Sequence, residues 1–61
     1  MSQPILRMSG RIAPGGERRI TVTCMETGIS VTWQGKQNQT RQELEAQIAE
    51  VRGLSEAMRH D

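Results

Sequence analysis

The chain has no phenylalanine and no tyrosine, and Trp33 is its one aromatic residue. A core of stacked rings is therefore excluded, and so is the row of exposed aromatics on which single-stranded nucleic acid stacks. A single cysteine, Cys24, leaves no internal disulfide, and with the single histidine, His60, it supplies too few soft ligands for a zinc centre. No apolar run approaches the ~20 residues that span a bilayer, and no basic segment followed by an apolar stretch opens the chain. The glycine pair in Ala13-Pro14-Gly15-Gly16 lacks the Gly-Lys-Ser/Thr that would make a phosphate loop, and reads as a turn. These absences predict a cytoplasmic protein with no membrane association, no metal and no cofactor.

Catalysis is excluded on similar grounds. Acid and base work needs groups held within hydrogen-bond reach of one another, whereas His60 is a tail residue and Cys24 falls on the inward side of an expected strand, where no environment that lowers a thiol pKa is implied. Glu43, Glu45 and Glu50 fall on a helix surface, where solubility accounts for them. The expected protein is not an enzyme.

What is present is a clear alternation. Ile20, Val22 and Cys24 alternate with Thr21 and Thr23, and Ile29, Val31 and Trp33 alternate with Ser30 and Thr32, the period-two pattern of strands with one buried face. Between them Glu26-Thr27-Gly28 predicts a three-residue hairpin loop with positive φ at the glycine. Upstream, Leu6, Met8 and Ile12 share the inward face of a further strand, and Gly10 among them suggests a bulge or a close backbone approach. Thr40-Arg41-Gln42-Glu43 fits a capping box at a helix start. Leu44, Ile48, Val51, Ser55 and Met58 then form a stripe at helical spacing, with Glu43, Gln47, Glu50 and Arg52 on the solvated side. Gly53 interrupts this pattern, which predicts one helix bent there.

The predicted fold class is α+β, a three-stranded antiparallel β-meander followed by one C-terminal α-helix packed on the sheet (β-β-β-α). Residues 1–61 form a single small domain, with loose Met1 to Gln3, strands over 4–12, 18–26 and 28–34, and a helix over 40–59. The expected core is Leu6, Met8, Ile12, Ile20, Val22, Cys24, Ile29, Val31, Trp33, Leu44, Ile48 and Val51.

A domain of about 60 residues buries only about 60% of its unfolded surface, so further burial against a partner is expected. The first functional reading is a non-enzymatic protein-interaction module, a stoichiometric modulator or inhibitor of a host macromolecule such as small phage and mobile-element proteins provide. Its partner is a protein, including a second copy in a homodimer. Leu54 and Met58, beyond Gly53, are the candidate dimer contacts, and Trp33 is a third candidate as a partly exposed anchor.

Charge supports a second reading. Up to Arg41 the chain has six cations against two anions, and after it two against five, so a basic sheet is joined to an acidic helix. Arginine outnumbers lysine seven to one, and guanidinium suits bidentate contact with phosphate or carboxylate. The outward sheet face is expected to present Arg7, Ser9, Arg11, Arg19, Thr21, Thr23, Ser30 and Thr32. Arg7, Arg11, Arg18, Arg19, Lys36 and Arg41 are thus candidate contacts to nucleic acid or to an acidic partner.

Overall fold

In a computed structural model, which describes residues 5–59, three antiparallel strands form one open sheet and a single helix packs on it. The expectations for Met1 to Gln3 and for His60 lie outside the described residues. The strands are β1 (Leu6–Ile12), β2 (Arg18–Cys24) and β3 (Ser30–Gly35), in the spatial order β1-β2-β3, and the helix α1 covers Arg41–Arg59. The strand order, the meander and the helix start are those the alternation and the capping signal predict. No helix is long and apolar enough to cross a membrane among the described residues.

Each connection has a local cause. The β1–β2 turn is closed by Ala13 N donating to Glu17 O at 2.7 Å and Gly16 N donating to Ala13 O at 2.9 Å. The β2–β3 loop is one residue longer than expected, Met25 to Gly28, because Cys24 N donates to Ile29 O and Gly28 N to Cys24 O, both at 2.8 Å. Gly28 keeps its predicted role at the last loop position with φ 79°, a value that disfavours any side chain. At the helix start, Thr40 N donates to Glu43 Oε1 at 3.0 Å and Glu43 N to Thr40 Oγ1 at 3.1 Å, the reciprocal pair of a capping box.

The pairing of β1 with β2 runs without a skipped residue from Leu6 opposite Cys24 to Ile12 opposite Arg18. Gly10, opposite Ile20, therefore makes no bulge, and a Cβ built on it meets nothing within 4 Å. Neither of the two expected uses of Gly10 is realised; it leaves a notch in the strand face.

The helix lies over β2 and β3, and no Cα of β1 comes within 8 Å of it. Val22, Cys24 and Val51 form the fully buried core, with Leu6, Val31, Leu44 and Ile48 packed around them. Two expected core residues are consequently exposed: Met8 at 52% and Ile12 at 65%. Alternation places them on the helix side of the sheet, but the helix does not extend over them.

The largest departure on the helix is Gln47, expected on the solvated face and in fact buried. It lies three residues after Leu44 and four before Val51, inside the buried stripe. Its amide is fully used. Nε2 donates to Ile20 O at 2.8 Å and to Val31 O at 2.7 Å, while Oε1 accepts from Gln39 Nε2 at 2.7 Å. The Cys24–Ile29 bond fixes the ladder alternation, so the Ile20 and Val31 carbonyls already face the partner strand. Gln47 takes a second lone pair on each. One side chain thus pins the helix across two paired strands.

The helix runs unbroken through Gly53, which is exposed and whose added Cβ would meet nothing within 4 Å. Replacing it by alanine removes the helix-interior glycine penalty of about 1 kcal/mol. Gly53→Ala is accordingly expected to raise the melting temperature by about 4–8 °C in a domain of this size. A thermal melt followed by circular dichroism checks this, and an unchanged or lowered midpoint contradicts it.

Candidate functional site

Four local arrangements carry chemistry, and the strands decide which side each occupies. The first is the outer sheet face, which the helix leaves open. Arg11 stands directly opposite Arg19, Ser9 opposite Thr21, Arg7 opposite Thr23, and Thr21 opposite Thr32. Thr21 Oγ1 and Thr32 Oγ1 are 3.1 Å apart and share a hydrogen bond. Ser9, Arg11, Arg19, Thr21 and Thr32 line a shallow hollow of about 310 Å³ on this face. Of the six candidate cations, the structure places Arg7, Arg11 and Arg19 on this face, with Arg11 and Arg19 side by side and Arg7 four residues further along β1.

The other three lie elsewhere. Arg18 is paired with Ile12 and Gly35 and belongs to the helix side. Arg41 opens the helix, with its Nε 3.4 Å from Glu45 Oε1 in an exposed pair. Lys36 follows β3 in the loop toward the helix. The Arg11–Arg19 pair itself is unusual, because like charges directly opposite on antiparallel strands repel. Among the described residues the salt bridges are Arg41–Glu45 and Arg59–Glu26, so no carboxylate offsets it. Glu17, on the same side of the chain as Arg19 by alternation, accepts from Gln34 Nε2 instead.

The second arrangement is the bare helix-side face of β1. Met8 and Ile12 flank the Gly10 notch. Next to it Gly10, Ile12, Arg18, Ile20, Asn38 and Gln39 contribute to a hollow of about 250 Å³. Met8, Ile12 and Ile20 are expected in the core from alternation, which carries no signal for the lateral position of the helix.

The third is the helix end. Leu54 and Met58 are 47% and 58% exposed, as a contact surface requires. Trp33 does not join them. Its Nε1 donates to Glu43 Oε2 at 3.0 Å at the opposite end of the helix, and its ring lies over Gly35, where an added Cβ would sit 2.7 Å from two ring carbons. Glu43 therefore serves the cap and the indole together. Its carboxyl is held below the usual range by the Thr40 amide, then by the Thr40 hydroxyl and the Trp33 indole.

The fourth is Cys24. Its thiol pKa is lowered to about 7, chiefly by the Ser55 hydroxyl, then by the Thr27 hydroxyl and amide and the Glu26 amide. The sequence implies no such environment, because Ser55 and Thr27 come together beside Cys24 only in the fold. Ser55 Oγ and Thr27 Oγ1 lie 2.9 Å apart, and Thr27 Oγ1 accepts from Ile29 N at 3.3 Å, so the same hydroxyls tie the hairpin loop to the helix. Only 1% of Cys24 is accessible, so a thiolate there reaches no substrate. Among the described residues, no group of three or more His, Cys, Asp or Glu side chains is placed to hold a metal ion.

The chain matches no protein-family model, no curated protein and no solved structure. Its function has to be argued from the surfaces described above.

Proposed function

We propose that this chain is a non-enzymatic protein-interaction module whose docking surface is the helix-side face of β1 and whose partner is a second copy of itself. The observation that carries this reading is the lateral position of the helix, which covers β2 and β3 and leaves Met8 and Ile12 exposed. Contiguous apolar surface that a small domain cannot cover for itself is surface a partner can cover.

Self-association is favoured by the shape of the strand face. It reads large, absent, large: Met8, Gly10, Ile12. Two such faces related by a two-fold axis complement each other, because Met8 or Ile12 of one copy fills the Gly10 notch of the other, as an isologous interface requires. Burial of apolar side chains at about 25 cal/mol per Å² supplies the driving force. Leu54 and Met58 form a second apolar patch on the helix. They are four residues apart on one helical row, and that row also contains Glu50, which lines a hollow with Val31, Thr32 and Trp33 of β3. The patch therefore lies toward β3, the other flank from β1.

Gly10→Val separates docking from folding. The new side chain has open space and suits a strand, where it is neutral or stabilising by up to about 1 kcal/mol, yet it fills the notch. Sedimentation equilibrium from micromolar to millimolar concentration is expected to give a reversible dimer for the wild type and a monomer for Gly10→Val, with no loss of melting temperature. A wild-type monomer throughout, or a variant that dimerises as the wild type does, contradicts the proposal.

A further inference from the structure

We infer that the outer sheet face is a binding site for the sugar-phosphate backbone of duplex DNA, with Arg7, Arg11 and Arg19 as the phosphate contacts. This goes beyond the self-association reading, uses the opposite face of the sheet, and stands whether or not two copies associate.

The first support is the unrelieved charge. Arg11 and Arg19 face each other across β1 and β2, and no carboxylate among the described residues pairs with either. Like charges held directly opposite oppose the pairing of their strands. An anion between them turns that cost into a favourable contact, and a phosphate oxygen pair matches the guanidinium fork.

The second support is spacing. Arg7 and Arg11 are four residues apart on one strand, hence about 14 Å along it, close to the roughly 12 Å width of the B-form major groove. Two guanidiniums so placed reach phosphates on the two lips of the groove, while Ser9 between them and Thr21 opposite it face inward. The A-form major groove of duplex RNA is too deep and narrow for this approach.

The third is what the face does not offer. The single aromatic, Trp33, lies on the helix side and is bonded to Glu43, so the stacking surface a single strand needs is not there. The hydroxyls of Ser9 and Thr21 hydrogen-bond any base edge. Backbone contact with weak sequence preference follows.

The test is fluorescence anisotropy with a labelled random-sequence DNA duplex, at protein concentrations below self-association. Three phosphate contacts predict a slope of log K against log salt of about −2.7, which is about 40-fold weaker binding on going from about 50 to about 200 mM salt. Arg11→Gln/Arg19→Gln should lower the slope to about −0.9 and the loss to about 3- to 4-fold over the same range. That variant relieves a like-charge pair and is expected to melt no lower than the wild type; should it fail to fold, Arg7→Gln alone should give a slope of about −1.8. No binding at about 50 mM salt overturns the inference, as does a double variant with the wild-type slope. Polyglutamate that displaces the duplex as well as unlabelled DNA does at equal charge also overturns it, in favour of an acidic protein.

Discussion

Replacing Gln47 by glutamate is expected to unfold the protein at neutral pH, although the change exchanges one NH₂ group for one oxygen. In the wild type the amide nitrogen donates to the carbonyls of Ile20 and Val31 at 2.8 and 2.7 Å. A carboxylate has no proton to give. It would place negative charge against two carbonyl oxygens at a buried position, and an uncompensated buried charge costs about 3–5 kcal/mol. A lone core of this size supplies about that much in total. The variant also acquires a pH dependence opposite to that of the wild type. Burial raises the folded-state pKa of Glu at position 47 above its unfolded value of about 4.3. Its neutral, donating form is then fully present below that value, and stability is lost as the pH rises through the folded pKa.

In the wild type the folded pKa of Glu43 is lowered by Thr40 and Trp33. Its contribution is present above the unfolded value and lost as the pH falls through the lowered one. Urea unfolding at about pH 4 and about pH 7, bracketing the unfolded glutamate pKa, should show the variant more stable at the lower pH and the wild type more stable at the higher. A variant as stable as the wild type at neutral pH removes Gln47 from its place in this account.

Gly35→Val is expected to cost about 1–3 kcal/mol, the range for inserting atoms into a packed site, and to change the fluorescence of the single tryptophan. A Cβ at position 35 would lie 2.7 Å from two carbons of the Trp33 ring, closer than atoms can approach. The φ of Gly35 is not positive, so the penalty is steric rather than conformational. The indole has to swing away, and it then loses its bond to Glu43 Oε2 and weakens the tie between β3 and the helix start. With no other aromatic in the chain, a red-shifted emission reports that displacement directly. Unchanged emission with an unchanged melting temperature would mean that the ring does not rest on Gly35.

These two positions also show what the sequence could and could not reveal. Period-two alternation located all three strands, and Thr40 with Glu43 located the helix start, because both signals depend on neighbours in the chain. Alternation also assigned Met8 and Ile12 to the correct side of β1. It cannot tell whether another element covers that side, since the answer depends on where a helix some thirty residues later comes to rest. Gln47 stood in the buried stripe at the right spacing from Leu44 and Val51, but its polarity argued for solvent. Only the two carbonyls that face it explain its burial. Leu54 and Met58 are exposed although Ser55 between them is buried against Thr27, because they share a helical row with Glu50 beside the buried stripe rather than in it.

The candidate surfaces were legible to different degrees. Arg7, Arg11 and Arg19 fell on the outer face by alternation alone. The direct opposition of Arg11 and Arg19 depends on the β1–β2 register, which the turn at Ala13 to Glu17 sets. Arg18, Lys36 and Arg41 carry the same charge but belong to other surfaces. The lowered thiol pKa of Cys24 arises from Ser55, more than thirty residues away in the chain, and no local pattern announces such a contact.

The central claim is that the face of β1 left bare by the helix is where a second copy sits. Methyl-detected NMR of the wild type over a concentration series tests it most directly. The account predicts concentration-dependent shifts at the methyl groups of Met8 and Ile12, with the buried Val22 and Val51 unmoved. Shifts confined to Leu54 and Met58, or no shift at any methyl up to millimolar concentration, would contradict it.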